Sequence, residues 1–401
     1  MRLPRPHVLS AGYRVFFLLA GLFAVVAMIV WEGWLAIHAA GGMVTGEPFA
    51  MAPHLWHAHE MVFGYSAAVI AGFLLTATPN WTGTRPASAR FLAPAAALWL
   101  AGRLAVWWSG SLPPALVALV DLAFLPLVAG LIVSLLLRRP KPKQLVLLAV
   151  IALVWAGNLL VHLEWTGLTS DTAYTGLRGG LMALALLIVI LGGRVTPAFT
   201  RNAMQRAGWT GALPRDPLPL AVAAIAGTAL TAAAQLAGAP DAVAGALAAL
   251  AGLAALARLA FWQGGWTRAQ PILWTLHLSY LTTALGLMLY AAALWGLLSE
   301  VAALHVLGIG AVGGMTLSVM SRAALGHSGR ALSAPGGLAL AYALVPAVTL
   351  LRFAGSAWPG FYFAGVLASG ALWIAVFTLY LATLWPVFWQ ASPTPAEGAS
   401  A

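Results

Sequence analysis

Three histidines and a glutamate lie close together in one apolar segment, PHLWHAHEMVFGY at 53–65. The segment opens with a proline, which suits the first position of a helix, so His54, His57 and Glu60 would stand on adjoining helix faces. His57 and His59 would point about 200° apart, so they cannot easily hold one small metal ion together. They are expected to face two centres, or else one binds a metal while the other supports a ligand by a hydrogen bond. The pattern predicts metal or haem ligation by at least one histidine, and His54, His57 and His59 are all candidate metal ligands.

Another histidine, His305, comes just before a glycine-rich stretch in LHVLGIGAVGGM at 304–315. A planar porphyrin needs a helix face with few side chains beside its axial ligand, and glycines follow at positions 308, 310, 313 and 314. Glycine also allows close helix–helix contact in membranes, which is the alternative explanation. Because a histidine accompanies the glycines, we favour a haem-lined face, and Gly64 would leave similar room beside His57. We predict that His57 and His305 bind haem iron, and His305 is also a candidate metal ligand.

His277 lies in WTLHLSY at 274–280, roughly 14 Å along its helix from Arg268 at 1.5 Å per residue. Tyr280 follows one turn later. Ionisable side chains inside a membrane are costly and by default indicate function. His277 is therefore a candidate axial ligand of a separate, deeper haem site, or a member of a proton path.

Arg103 and Asp121 place opposite charges inside two neighbouring apolar segments. One interpretation is a structural ion pair between them. The other is that Arg103 binds a haem propionate through its planar guanidinium, which matches a carboxylate well. His38 and His162 lie near the ends of their segments, where a lone histidine most simply meets interfacial water.

Composition determines the class of protein that carries these residues. The chain has 62% hydrophobic and only 7% charged residues, with a mean hydropathy of +0.91. A soluble domain carries about 25% charged residues, so a water-exposed protein is excluded. Apolar runs of the length that spans a bilayer recur along the chain, and they lack the alternation of barrel strands. The fold class is therefore an all-α polytopic membrane protein. Twelve spans are expected near 14–38, 54–78, 91–108, 114–137, 145–163, 177–193, 218–236, 242–261, 271–295, 300–321, 336–353 and 361–388.

The basic residues predict the orientation of these spans. A cytoplasmic N-terminus puts all of the 20 Lys and Arg residues except Arg103, Arg178 and Arg352 on the cytoplasmic side. The C-terminus is then cytoplasmic as well, and the net charge of +10 reflects topology rather than nucleic-acid binding. The first apolar run has no small-residue cleavage site and is expected to be a retained helix. We predict one transmembrane domain at 1–390 and a disordered cytoplasmic tail at 391–401.

Cysteine is absent from the chain. This excludes disulfides, thiolate-bound zinc, iron–sulfur clusters and covalent haem attachment through a CxxCH motif. Any metal must be held by histidine, methionine, tyrosine or carboxylate, and any haem must be bound non-covalently, as heme b is.

Four long motifs together resemble the NnrS family of bacterial inner-membrane proteins. They are HAHEMVFGYSAAVIAGFLLTATPNWTG (57–83), GGRVTPAFTRNA (192–203), LHLSY (276–280) and LHVLGIGAVGGMTLSVMSRAALGHSGR (304–330). The resemblance implies a multi-pass haem- and copper-containing protein of the inner (cytoplasmic) membrane that protects denitrifying or pathogenic bacteria from nitric oxide. The matching positions are His57, His59, Glu60, Arg194, His277, His305, Arg322 and His327.

The cofactors implied by this resemblance favour an oxidoreductase that converts nitric oxide to nitrous oxide. Without covalent haem or thiolate copper, electrons would come from membrane quinol or another donor in the membrane. Glu60 is the candidate catalytic proton donor, because it lies one turn after His57; alternatively it only orients a ligating histidine. Two other functions stay open: a non-catalytic haem-based sensor of nitric oxide, and a transporter or assembly factor for haem, copper or a metal–nitrosyl complex.

Overall fold

The structure is a computed structural model that describes residues 7–391, without the side chains of residues 142 and 143. Over that range it is helical, and it contains twelve helices long and apolar enough to cross a membrane. They are α1 Gly12–Ala39, α2 Pro53–Thr82, α3 Ala89–Trp107, α4 Pro114–Arg138, α5 Gln144–Trp165, α6 Thr172–Arg206, α7 Leu218–Leu236, α8 Asp241–Leu259, α9 Pro271–Leu294, α10 Glu300–His327, α11 Gly336–Ala357 and α12 Pro359–Trp389. The predicted fold class and the count of twelve spans are confirmed.

The helix ends follow from local sequence. Pro53, Pro114 and Pro271 stand in the first turns of α2, α4 and α9, where a missing N–H costs nothing. Ser299 begins α10 by accepting a hydrogen bond from the backbone N–H of Ala302. The helix whose length differs most from the prediction is α6, which covers Thr172–Arg206 where a span at 177–193 was expected. Polar residues at both of its ends continue the helix beyond the apolar run.

Large apolar side chains cover much of the outer surface of these helices. Leu119, Leu137 and Leu350 are 69%, 76% and 67% exposed. In water such a surface would promote aggregation, whereas in a bilayer it faces hydrocarbon at no cost. The exposed apolar faces therefore support the membrane assignment made from composition.

The chain forms two compact units. The first contains the described residues up to Leu177, those from Phe377 onward, and Met320–Leu332. The second contains Arg178–Val319 and Ser333–Val376. The single transmembrane domain at 1–390 stays a prediction, and the predicted tail lies outside the described residues except for Ala391.

Two of the helices contain a π-helical segment, and each segment follows a candidate histidine. In α2 the π-helix covers Glu60–Tyr65, directly after His59. In α10 it covers Val306–Gly313, directly after His305. A π-turn has about one residue more than an α-helical turn, so it shifts side chains from their regular positions, and it is frequent at functional sites. The hydrophobic pattern did not reveal either segment.

Topology can be tested with reporter fusions. We expect fusions after Arg90, Arg139 and Arg215 to report a cytoplasmic location, since basic loops stay on that side. A fusion after Gly110 should report the periplasm. Alkaline phosphatase and fluorescent-protein fusions, made at the same sites, provide opposite readouts. A cytoplasmic result at Gly110 would contradict the orientation.

Candidate functional site

Six polar side chains meet inside the first unit and form what we call the His59 cluster. Its members are His59 and Glu60 from α2, Arg103 from α3, Asp121 from α4, and Asn158 and His162 from α5. All six are buried, from fully buried His59 to Arg103 with 7% exposure. Polar groups buried this deeply must satisfy one another, because neither water nor lipid supplies partners.

Asp121 is the centre of the cluster. Its Oδ1 accepts a hydrogen bond from NH2 of Arg103, which forms the ion pair that was one of the two interpretations of these residues. Its Oδ2 accepts from Nδ2 of Asn158 and from Nε2 of His162, both at 2.8 Å. Both Arg103 terminal nitrogens are committed to protein carboxylates, because NH1 donates to Oε1 of Glu60 at 2.5 Å.

The hydrogen bonds also determine where protons lie. Asn158 must direct its amide nitrogen at Asp121, so its oxygen faces His59 and accepts from Nε2 at 2.8 Å. The other ring nitrogen, Nδ1, lies 2.9 Å from Oε1 of Glu60. One proton must lie between these two atoms, bound either to the imidazole or to the carboxyl group. His59 and Glu60 therefore share a single proton.

This proton balances the charge of the cluster. Glu60 and Asp121 are acidic, whereas Arg103 supplies one positive charge and the proton shared with His59 supplies the other. A neutral, fully hydrogen-bonded group avoids the penalty of several kcal/mol for each uncompensated ion. The arrangement can therefore exist inside a membrane protein.

Gly64 has a different role from the predicted one. A Cβ at this position would lie 2.4 Å from NH1 of Arg103, so the guanidinium occupies the space beside the glycine. The backbone oxygen of Gly64 accepts a hydrogen bond from Nε1 of Trp99 at 2.9 Å. The expectation that Gly64 leaves room for a porphyrin beside His57 is wrong, because the close approach of α2 and α3 at the ion pair requires the glycine.

Three members of the cluster can hold a metal ion. Ligand atoms of His59, Asp121 and His162 lie within 4.8 Å of one another, and all three residues are buried. Two imidazole nitrogens and one carboxylate oxygen suit copper, zinc or iron. Both Nε2 atoms would release their hydrogens on binding, as metal ligation by imidazole requires. The donor set therefore fits a metal, and it includes only His59 of the predicted metal ligands.

His57 and His54 lie on other faces of α2. The ring of His57 stacks on Trp31 with centroids 4.6 Å apart, and Trp31 stacks in turn on Trp34. His54 is exposed, and its Nε2 lies 2.9 Å from the hydroxyl of Tyr174. His57 and His59 thus face different surroundings, as their angular separation indicated.

His305 belongs to the second unit and has the hydrogen bond typical of a haem ligand. Its Nδ1 donates to the carbonyl oxygen of Val301 at 2.7 Å, so Nε2 carries the lone pair. The helix face at Gly308, three residues later in the π-helical segment, has nothing within 4 Å of where a Cβ would stand. A flat group is therefore sterically compatible with this face.

The other glycines of this stretch pack against neighbouring helices. A Cβ at Gly310, Gly313 or Gly314 would lie 3.0 Å or less from side chains of α9 and α12. Close helix contact therefore explains these three positions, which was the alternative interpretation.

His277 also lies in the second unit and is buried. Thr200 donates its hydroxyl hydrogen to the carbonyl of Thr196, so Nε2 of His277 donates to Thr200 Oγ1 at 2.9 Å. Its Nδ1 points toward Gly264, where a Cβ would lie 3.0 Å away. The roles of axial ligand and proton carrier both stay predictions for His277.

A second charge cluster in this unit, which joins buried Arg258 to the exposed Asp216, was not predicted. Arg258 donates two hydrogen bonds to the carboxylate of Asp216, at 2.8 and 2.9 Å, and one to the hydroxyl of Tyr280 at 2.7 Å. Trp262 packs on Tyr280 with ring centroids 4.5 Å apart. Gly193, in the GGRVTPAFTRNA motif, lets the backbone of α6 contact the guanidinium. Two motif residues, Gly193 and Tyr280, therefore support this cluster.

Comparison with known families agrees with the motifs. Residues 7–392 match the family model described as NnrS protein, which is nearly the whole chain. The chain belongs to the NnrS family. Membership of NnrS suggests a membrane protein of the nitric oxide response, and the family is generally associated with metal or haem binding. A search of curated proteins finds no match.

Sequence reasoning missed Asn158 and His162 as site residues in this NnrS chain. A signal was present, because the two residues are four positions apart and therefore share one face of α5. An amide and an imidazole stacked on one face of an apolar helix are as unusual as the histidines of α2. Asp121 had been considered only as a partner of Arg103, not as a metal ligand.

Proposed function

We propose that this protein reduces nitric oxide to nitrous oxide in the bacterial inner membrane, as a defence against nitrosative stress. The observation that carries the proposal is the buried group of His59, Asp121 and His162, with the proton-sharing Glu60 beside it. Conversion of two nitric oxide molecules to nitrous oxide and water consumes two electrons and two protons. A site for this reaction needs a metal, a proton carrier and shielding from water, and the cluster has residues suited to each need.

The cofactors we propose are copper and heme b. His59, Asp121 and His162 would hold the copper ion, while His57, His305 and His277 are the candidate haem ligands. These groups, when bound, would supply electrons to nitric oxide, drawn from quinol or another donor in the membrane. Imidazole suits both metals.

The protein residues would control protons and geometry. Glu60 shares a proton with His59, so it is the candidate general acid of the cluster. Arg103 donates to Glu60 and Asp121 together, so it holds the proton carrier and the metal ligand in one fixed arrangement. The apolar helices around the cluster exclude bulk water, which strengthens each of these contacts.

The experiment is an anaerobic assay of the purified protein in vesicles. ¹⁵N-labelled nitric oxide and a quinol are added, and labelled nitrous oxide is measured by mass spectrometry. Repeated release of nitrous oxide, beyond one per protein, would support the enzyme. Binding of nitric oxide without release of nitrous oxide would refute the proposed enzyme and support a nitric oxide sensor. Movement of haem or copper across the vesicle membrane, without release of nitrous oxide, would refute the proposed enzyme and support a transporter.

A separate prediction concerns which histidines bind haem. We expect His57→Ala and His305→Ala each to lose haem or to shift its absorption spectrum, while the protein still inserts. His305 has the stronger structural case, since its Nδ1 hydrogen bond to Val301 orients the ring. The measurement is haem per protein by the pyridine haemochrome method. The exposed His7 provides the control variant, His7→Ala.

Full haem content in both variants would contradict this assignment. His59 and His277 would then be the histidines to test next. Loss in one variant alone would assign the haem to that histidine.

A further inference from the structure

Aromatic and basic side chains meet at one end of the first unit and form what we call the Arg330 group. Its members are Tyr13 and Arg14 at the start of α1, His327 at the end of α10, and Arg330 in the loop that follows. The ring of His327 stacks on the ring of Tyr13, with centroids 6.0 Å apart. The charges of Arg14 and Arg330 lie close enough to act on each other. The group therefore brings two arginines together where α1 begins and α10 ends.

Arg14 already has partners for its charge. Its NH1 donates to the carbonyl oxygens of Val387 and Gln390, both at 2.6 Å. These carbonyls lie at the C-terminal end of α12, where carbonyl oxygens without helical partners carry partial negative charge. Arg14 is therefore compensated by the protein itself, and it connects α1 to α12.

Arg330 has no such compensation. Its guanidinium has no hydrogen-bond partner among residues 7–391, and NH1 is buried. The side chain as a whole is only partly buried, so its other nitrogens lie at the surface. Burial, and then the nearby charge of Arg14, lower the pKa of Arg330, which means that its positive charge costs free energy in this place. An anion at the exposed nitrogens would offset that cost.

Carboxylates that could pair with Arg330 are absent from this end of the first unit, within the described part of the chain. Glu32, the carboxylate of α1, stands roughly 27 Å along the helix from Arg14 at 1.5 Å per residue. The others lie at or near the opposite helix ends, and they are Glu47, Glu60, Asp121, Glu164 and Asp171. The negative charge that Arg330 lacks would therefore come from a bound group.

The position of the Arg330 group selects the class of anion. The start of α1 and the ends of α10 and α12 are where these spans leave the hydrocarbon, so Arg330 lies at the depth of the lipid headgroups. The predicted orientation puts this end on the cytoplasmic side, whose leaflet carries anionic lipid. Arginine binds phosphate through its planar fork, and basic pockets between helices on this side bind anionic headgroups.

We propose that the Arg330 group binds the phosphate of one anionic phospholipid, with the exposed nitrogens of Arg330 as the principal donors. The bound headgroup neutralises Arg330, while the charge of Arg14 adds attraction from its place beside α12. Since the group joins α1 to the ends of α10 and α12, the lipid stabilises the contact of these helices in the first unit. Lipid binding here does not depend on the proposed reaction with nitric oxide.

Lipid binding is measured on the full-length protein in detergent, by native mass spectrometry with added phosphatidylglycerol. We expect Arg330→Gln to bind the first phosphatidylglycerol at least about tenfold more weakly than the wild type, because charge-assisted hydrogen bonds to phosphate are lost. Arg330→Lys keeps the charge without the fork and should fall between the two. Arg85→Gln is the matched control, because Arg85 is an exposed basic residue expected on the same side of the membrane. Equal binding by the wild type and Arg330→Gln would overturn the proposal.

Thermal unfolding distinguishes the source of the phosphate. At constant ionic strength, phosphatidylglycerol should raise the unfolding midpoint of the wild type and of Arg85→Gln, but not that of Arg330→Gln. Phosphatidylcholine, whose headgroup carries its own cation, should have no such effect on any of these proteins. An equal rise with inorganic phosphate would overturn the lipid assignment, because a soluble anion would then suffice. A rise with phosphatidylglycerol that persists in Arg330→Gln would place the lipid elsewhere and overturn it as well.

Discussion

Replacing His162 by alanine should remove the metal ion from the His59 cluster. His162 contributes one of three candidate ligands, and its Nε2 lies 2.8 Å from Oδ2 of Asp121, the central ligand. Loss of a group that merely supports a ligand typically costs 10–100-fold in metal affinity, so loss of a ligand should cost at least about 100-fold. Purified His162→Ala is then expected to contain no stoichiometric copper by plasma mass spectrometry.

A spectroscopic signature separates ligation from general damage. With Cu(II) bound to the wild type, electron paramagnetic resonance should show hyperfine splitting from two imidazole nitrogens. His162→Gln, which keeps a polar group toward Asp121, should show one nitrogen at most. His7→Ala should match the wild type, because His7 is exposed and far from α5 in sequence. Full copper content in His162→Ala would refute the assignment of this metal site.

Glu60→Gln is expected to slow nitrous oxide production at least tenfold, which corresponds to about 1.4 kcal/mol of activation free energy. Glutamine preserves the shape of Glu60, and its amide oxygen, in the position of Oε1, can still accept from NH1 of Arg103 and from Nδ1–H of His59. That hydrogen is no longer shared, because an amide oxygen does not take up a proton as a carboxylate does. Once Nε2 of His59 releases its hydrogen to bind the metal, the side chains stay neutral, with the charges of Arg103 and Asp121 alone, so the variant should fold and keep its metal.

The control for this variant is Asp171→Asn. Asp171 is an exposed carboxylate with a backbone φ of 59°, a conformation that asparagine also tolerates. Both variants are compared for copper, haem, nitric oxide binding and nitrous oxide release. Unchanged turnover in fully loaded Glu60→Gln would mean that Glu60 only orients His59, which was the alternative role. If Asp171→Asn also turned over more slowly, the effect of Glu60→Gln could not be assigned to the loss of a proton donor at Glu60.

The membrane architecture could be predicted from the sequence because its cause is local. A bilayer requires about 20 consecutive apolar residues per helix, and each run satisfies that requirement by itself. The separation of His57 from His59 was also predictable, since it follows from the pitch of one helix. The absence of cysteine limited the possible ligands to imidazole, thioether, phenol and carboxylate groups in the same direct way.

The composition of the His59 cluster depends on tertiary structure. Asp121 and His162 lie far from His59 in the chain and reach it only because α4 and α5 pack beside α2. A single sequence shows which helix face each residue occupies, but not which faces meet. Arg103 illustrates this. Its charge could have been balanced by a haem propionate or by a protein carboxylate, and only the packing of the helices shows that Glu60 and Asp121 pair with it. The π-turns in α2 and α10 likewise arise from packing, since the apolar pattern of a continuous helix is the same with or without them.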